Sequence, residues 1–188
     1  MESPNRMALD LVDEAIDFAD ELRVRVEHLD NDAAVLDFGV EATGGVEAGL
    51  LLAEVATGGV ATVQTRVGTV DGVALPHVEL STDHPALALF GCQSPRWTLD
   101  ADGAEVRGSG PAQLLRREGA ERAVRTFDDD ADFAVLVLDA DRLPGEALVE
   151  TVAEATGLPT SAVFVLVAPT NSLAGSVAAA ARAGERAL

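Results

Sequence analysis

Two short apolar segments, separated by an amphipathic one, place the strongest constraint on how this chain folds. Residues 133–138 and 163–167 are almost entirely Val, Leu, Ala and Phe, which is typical of strands buried on both faces. Between them, residues 144–155 show helical spacing, and Gly157 and Pro159 then end the helix. A strand, a helix and a second strand in this order fit a parallel crossover and predict an α/β fold.

The first 110 residues predict paired strands rather than crossovers. Ser3 and Pro4 are suited to the cap and first position of a helix, and helical spacing then continues to Leu22. Asp30-Asn31-Asp32 is a turn that joins residues 23–28 and 33–38 into a hairpin, and Asp71-Gly72 is a turn between two further strands. The predicted strands are residues 23–28, 33–38, 60–67, 73–80, 97–99 and 105–107, and the predicted helical segments are residues 46–57, 86–90, 112–118 and 171–188. The fold class is therefore α/β, in the broad sense that includes α+β.

The charge of the chain is strongly negative. Its 188 residues include 32 Asp and Glu but only 13 basic residues, all of them Arg, for a net charge of -19. Nucleic acid and anionic membranes are disfavoured as partners because they require a basic patch. An acidic interaction surface is one interpretation. Adaptation to high salt is the better one, since ~1 M salt shortens the Debye length to ~3 Å and screens the self-repulsion.

Cysteine content and hydropathy indicate a cytoplasmic protein. Cys92 is the single cysteine, which excludes an intrachain disulfide and a zinc site with several Cys ligands. The first residues lack the basic and apolar regions of a secretory signal. No apolar run approaches the ~20 residues of a membrane-spanning helix. These observations predict a cytoplasmic location.

Arg182 and Glu185 are the first candidates for chemistry. On a helix their three-residue spacing places both side chains on one face, where a guanidinium tunes the pKa of a carboxylate that acts as a general acid or base. By pattern alone, a surface ion pair of little energetic consequence is the commoner explanation of such a pair.

Two further motifs allow both functional and structural interpretations. Residues 108–111, Gly-Ser-Gly-Pro, fit either a nest of backbone amides for an anion or a tight turn before a helix. Residues 82–85, Thr-Asp-His-Pro, fit either an acid–base pair or a helix cap, and the cap is favoured. Ser109, His84 and Asp83 together suggest a hydrolytic triad, although adjacent Asp and His seldom orient one another.

The remaining histidines and the cysteine give no convincing site. His28 and His77 lie in predicted strands, and the three histidines lack the spacing of a metal site, so no metal is predicted. Cys92 is more typical of buried packing than of a nucleophile.

Five segments in a fixed order carry a resemblance to a known family. This order, which extends from Asn5-Arg6-Met7-Ala8 to the last helix, resembles methenyltetrahydromethanopterin cyclohydrolase. Five segments that match in this order are far more specific for the family than any one of them. The segments are Gly45-Val46-Glu47-Ala48-Gly49, residues 82–88, Gly108-Ser109-Gly110-Pro111-Ala112, residues 168–177 and Ala181-Arg182-Ala183-Gly184-Glu185.

The resemblance implies an activity and a set of site residues. The reaction would be the reversible hydrolysis of the methenyl bridge of a tetrahydropterin to the formyl derivative, with no metal or nucleotide cofactor. Glu185 would be the general base, and Arg182 would orient it. The carrier would be a tetrahydromethanopterin or a tetrahydrofolate derivative, and the sequence does not decide between them. The substrate-binding residues would be Asp83, His84, Ser109, Gly110 and Arg96.

One position departs from the family pattern. Many relatives carry a Lys shortly before the Trp, where this chain has Ser94. Arg96 is the cation that would take over its role, unless the need for a cation at this position differs.

The resemblance also implies two mixed α/β lobes around a pterin pocket and assembly as a homo-oligomer, usually a homotrimer. We predict an N-terminal lobe over residues 1–126. Residues 127–188 would begin a second segment that stops before the C-terminal part of the family, because family members are longer. A catalytically silent fragment that binds a pterin or only assembles is the alternative to the enzyme. A serine hydrolase that uses Ser109 is a third hypothesis.

Overall fold

A six-stranded mixed sheet forms the centre of the computed structural model, which describes residues 2–94, 97–116, 127 and 129–183. Its strand order is β1-β2-β8-β7-β6-β5, and strands β3 and β4 form a separate hairpin. Strands β2, β8 and β7 are parallel, and the other pairs are antiparallel. The strands are β1 Arg25–His28, β2 Ala34–Asp37, β3 Thr62–Val70, β4 Val73–Ser81, β5 Trp97–Ala101, β6 Ala104–Ser109, β7 Ala134–Asp139 and β8 Val163–Val167.

Helices cover both faces of the sheet. The α-helices are α1 Pro4–Asp17, α2 Ala19–Leu22, α3 Val46–Ala56, α4 Glu146–Thr156 and α5 Leu173–Arg182. A π-helix spans Ala86–Gln93, and 3₁₀ turns span Pro111–Leu115 and Thr160–Ala162.

The central strands are apolar on both sides because each side meets a helical layer. In β7, Val135 and Val137 face the core formed with α1, α3 and α5, whereas Leu136 and Leu138 face the core formed with α4. All four side chains are buried. This explains the continuous apolar pattern, and the parallel pairing of β7 with β8 confirms the predicted crossover.

Small residues in α3 and α5 allow these two helices to pack closely. A Cβ at Gly49 in α3 would lie 2.6 Å from the backbone oxygen of Ala174 and 2.7 Å from the Cβ of Val177 in α5. A larger side chain at position 49 would therefore push the helices apart. The Ala-rich composition of α5 follows from this contact.

Asn5 ties the start of α1 to the sheet and to two loops. Its side-chain nitrogen donates to the backbone oxygen of Pro111 at 2.9 Å and to a carboxylate oxygen of Asp129 at 2.8 Å. Its side-chain oxygen accepts from the backbone N–H of Val135 in β7 at 2.9 Å. The side chain is fully buried, and its bonds to Pro111 and Val135 are buried as well.

Asp37 organises the loop that follows β2. Its carboxylate is fully buried and accepts four backbone N–H bonds, all between 2.6 and 2.8 Å. The four donors are Gly39, Val40, Glu41 and Ala42. The loop therefore has its amide groups satisfied by one side chain rather than by a strand or helix.

The predicted α/β class is confirmed, and the differences from the predicted elements are local. The first helix is interrupted at Phe18, which caps α1 and is 52% exposed. The segment after Pro85 is π-helical, and a 3₁₀ turn begins at Pro111 where an α-helix was predicted. A wider π-helical turn replaces the expected α-helix in the first segment, and a tighter 3₁₀ turn replaces it in the second.

The six-stranded sheet includes strands from both sides of residue 127. The division predicted at residues 126 and 127 therefore does not separate two sheets, and as a lobe boundary it stays a prediction. Among the described residues, none of the helices has the length and apolar character needed to cross a membrane.

Candidate functional site

An open pocket of about 690 Å³ lies at the base of the β3–β4 hairpin. Its walls are two chain segments, residues 59–62 and residues 80–84. Thr62 and Ser81 pair across the hairpin, so the two walls meet at the first rung of the β3–β4 ladder. The volume lies within the range that binds small molecules in proteins, which is roughly 300–1,000 Å³.

Asp83 and His84 both line this pocket, and Thr82 fixes them there. The hydroxyl of Thr82 donates to the backbone oxygen of Val60 on the opposite wall at 2.7 Å. The same hydroxyl accepts from the backbone N–H of His84 at 3.0 Å. Asp83 and His84 remain exposed, so both side chains are accessible to a ligand.

Gly110 is not among the residues that line the pocket, and its amide is already used within the fold. Its N–H donates to the backbone oxygen of Cys92 at 2.7 Å, and the Gln113 side chain donates to the same oxygen at 2.8 Å. Its φ of 112° favours glycine, and a Cβ there would lie 3.0 Å from the backbone oxygen of Val135. A Cβ at Gly58 would lie 2.9 Å from the Cys92 sulfur, so Cys92 lies beside the residue that precedes Gly59 in the pocket wall.

Ser109 is placed differently from Asp83 and His84. It is the last residue of β6, pairs with Val137 in β7 and is 2% exposed. A hydroxyl buried in the sheet is inaccessible to a substrate carbonyl, which removes the support for a serine hydrolase. The substrate-binding roles predicted for Ser109 and Gly110 stay predictions.

Arg182 is buried in the last turn of α5, with 8% exposure. A cation at this position is stabilised by the partial negative charge of the helix C-terminus. Helix α5 packs against α3 and β4, and β4 ends in Leu80 and Ser81, which line the pocket. The helix that carries Arg182 therefore adjoins a pocket-lining strand.

Two predicted site residues, Glu185 and Arg96, lie outside the described residues. Trp97, which follows Arg96, is described, and so is Ala183, two residues before Glu185. The roles assigned to Glu185 and Arg96 from the family resemblance stay predictions.

Arg116 is a cation that the sequence did not single out, and it contacts Trp97, the residue that follows Arg96 in the sequence. Its guanidinium carbon lies 4.5 Å from the centre of the Trp97 ring, which is the geometry of a cation–π contact. Burial lowers the pKa of Arg116. Sequence reasoning missed this contact because 19 positions separate the two residues, and the β5–β6 hairpin and the 3₁₀ turn over Pro111–Leu115 lie between them.

The π-helix ends in a cluster of buried polar groups. Gln93 and Gln113 are 1% and 0% exposed, and the side-chain oxygen of each has no hydrogen-bond partner among the described residues. π-Helical turns are frequent at functional sites. In the sequence, the only signal for these two residues is that Gln93 ends the segment Gly91-Cys92-Gln93 and that Gln113 lies two residues after Pro111.

Cys92 is fully buried, and desolvation raises the pKa of its thiol, with a smaller contribution from Asp129. The thiolate that a nucleophile needs is therefore disfavoured, which confirms that Cys92 is a packing residue. Within the part of the chain that the structure describes, His, Cys, Asp and Glu form no group of three or more that could hold a metal ion.

The fold and the site together define an α/β protein with a polar pocket whose volume suits a small molecule. The family described as "Cyclohydrolase (MCH)" matches residues 3–188. The chain belongs to this family.

Several curated relatives match over nearly the whole chain and carry the name methenyltetrahydromethanopterin cyclohydrolase. The protein from Halobacterium salinarum is 49% identical over 100% of this chain. The proteins from Methanocella arvoryzae and Methanothermobacter marburgensis are 42% and 39% identical over 100% and 98% of this chain. The chain spans 59–60% of the length of these three relatives.

Proposed function

We propose that this chain carries the substrate pocket of a cyclohydrolase of one-carbon metabolism. The reaction is the reversible hydrolysis of the methenyl bridge of 5,10-methenyltetrahydromethanopterin, or of a tetrahydrofolate analogue, to the formyl derivative. The observation that carries this proposal is the family match over residues 3–188, together with relatives of that name, one of which is 49% identical.

The chemistry of the substrate explains which groups the enzyme needs. The methenyl bridge is part of an amidinium cation, so its carbon is already electrophilic. Glu185 removes a proton from water as the water oxygen bonds to this carbon, and it returns the proton to the departing nitrogen as the C–N bond breaks. The hydroxyl on this carbon then loses its proton to solvent as the formyl C=O forms, so the cationic substrate and water yield the neutral formyl amide and one proton. Arg182 orients Glu185 and keeps the pKa of its carboxyl in a useful range. The reaction needs neither a metal nor a nucleotide cofactor.

The pocket at the hairpin base suits a cationic heterocycle. Asp83 supplies a carboxylate at its rim, and His84 supplies a ring with both donor and acceptor capacity. We assign both residues to substrate binding. The assignment of Ser109, Gly110 and Arg96 to the same role is supported by the family resemblance and not by the pocket lining. The support for Asp83 and His84 is their exposure inside a pocket of suitable volume.

The expected setting of the enzyme follows from its charge and its family. The net charge of -19 suits high salt, and the similarity to a protein from Halobacterium supports this interpretation. We propose a cytoplasmic enzyme that assembles as a homo-oligomer, with a trimer as the form implied by the family resemblance.

The experiment that tests this function compares wild type with Asp83→Asn by following methenyl absorbance in concentrated KCl. Wild type is expected to accelerate the loss of absorbance. The variant is expected to raise KM about tenfold with little change in kcat, because a charge-assisted hydrogen bond is lost. Asp13→Asn, which removes the same charge from the exposed face of α1, is the control.

The outcomes separate the function from the site. A wild-type chain that binds the pterin without accelerating hydrolysis would instead be the catalytically silent fragment. Normal KM for Asp83→Asn would remove Asp83 from the binding site while leaving the activity in place.

A further inference from the structure

The outer half of the β3–β4 hairpin is an uncovered apolar element. Each strand is nine residues long, so the hairpin extends roughly 30 Å at ~3.3 Å per residue. We refer to residues 67–76 as the hairpin arm. Nine large hydrophobic side chains are exposed in the described part of the chain, and four of them belong to this arm. They are Val67, Val70, Val73 and Leu75.

One face of the hairpin continues the protein core outward. In the register of the pair, Val63 faces Leu80 and Thr65 faces Val78. At the base, Val63 is buried in the core cluster, and Leu80 and Val78 pack against that cluster. The same face then continues into the arm without any charged residue, through Val67, Pro76, Thr69 and Ala74. We call it the uncharged face.

The charged residues of the strands lie on the opposite face. Arg66 and Glu79 form an ion pair there, beside His77 and Gln64. Because side chains alternate along a strand, Val70, Val73 and Leu75 share this opposite face farther out, so its charged residues lie only near the base. The uncharged face has no charged residue along the whole hairpin, which is the composition of a surface that is covered.

The charge distribution along the chain indicates what covers the arm. The chain carries 32 acidic residues, yet Asp71 in the turn is the only one between Glu54 and Glu79. Two copies of a protein with net charge -19 repel each other, so close packing is favoured where acidic residues are absent. The arm is such a place, and its uncharged face suits the matching apolar surface of another copy.

The hairpin also lacks support of its own. Among the described residues it forms a separate two-stranded sheet, and only its base contacts the core. An isolated two-stranded hairpin is marginally stable in water, whereas packing on another surface stabilises it. We propose that the hairpin arm docks through its uncharged face on a second copy of this chain. This inference rests on the proposed homo-oligomer and identifies the surface that forms it.

The proposal predicts that a single charge on the uncharged face breaks the assembly. Val67→Lys is suitable because Val67 is 76% exposed, so the fold of one copy does not depend on it. Wild type in concentrated KCl is expected to sediment as a multiple of 19.4 kDa. Val67→Lys is expected to raise the dissociation constant about 100-fold, since docking would bury an unpaired ammonium.

Gln64→Lys is the matched control, because it adds the same charge to the same strand on the opposite face. It is expected to assemble like wild type, and circular dichroism checks that both variants fold. A chain that stays at 19.4 kDa at every concentration would overturn the docking on a second copy. An oligomer that Val67→Lys leaves intact would overturn the role of the arm while leaving homo-oligomeric assembly in place.

Discussion

Replacement of Glu185 by Gln is expected to lower kcat by about 10²–10⁴-fold while leaving substrate binding nearly unchanged. Gln has almost the same shape as Glu but cannot take a proton from water, so only the transition state loses stabilisation. The loss is measured from the rate at which methenyl absorbance falls at saturating substrate. Substrate binding is measured separately, from the change in the fluorescence of Trp97, which is the single tryptophan.

Glu154→Gln provides the control for this variant. Glu154 is exposed on α4, a helix on the opposite side of the sheet from α5, and it undergoes the same change in charge and shape. Its kcat is expected to match that of wild type. Near-normal turnover by Glu185→Gln would remove this carboxylate from the mechanism, and the water would then need another base.

Replacement of Asp37 by Asn is expected to lower the free energy of unfolding by about 3 kcal/mol. The carboxylate accepts two N–H bonds on each oxygen, and an amide would place its own N–H₂ against two of those donors. Each buried donor left without a partner costs about 1–3 kcal/mol. Urea unfolding followed by circular dichroism in concentrated KCl measures the change.

Asp132→Asn is the matched control for Asp37→Asn, because Asp132 is exposed and loses the same charge. Its unfolding midpoint is expected to lie close to that of wild type. Equal midpoints for the two variants would contradict the structural role assigned to the buried carboxylate.

Regular, strongly patterned segments were predicted well from sequence. Strand β8 has the predicted bounds, and α3 and α4 lie within one or two residues of theirs. In each, the apolar period and the flanking turn residues agree with the packing that the fold provides. The hairpin of β1 and β2 was also predicted, because Asp30-Asn31-Asp32 is a turn signal between two strand-like segments.

Segments that depend on distant contacts were predicted less well. The π-helix over Ala86–Gln93 looks like an ordinary apolar helix in sequence, and its last turn is set by bonds from Gly110 and Gln113 to Cys92. The role of Asp37 also depends on how the following loop folds back on it. Such bonds are fixed by tertiary structure and leave no periodic signal.

The candidate site was predicted in part. Asp83 and His84 were identified, and the structure places both in one pocket. Thr82, which joins the two pocket walls, was considered only as a helix cap, because its partner Val60 is 22 residues away. Ser109 looked like a possible nucleophile until its burial in the sheet was seen.

The most direct test of the proposed hydrolysis follows the oxygen of water into the product. The chain is mixed with the methenyl-tetrahydropterin in ¹⁸O-water and concentrated KCl, and the formyl product is examined by mass spectrometry at early times. Enzyme-dependent formation of a formyl group that carries ¹⁸O is the result predicted here. A methenyl substrate that disappears no faster than in buffer alone, with no labelled product above that background, would contradict the proposal.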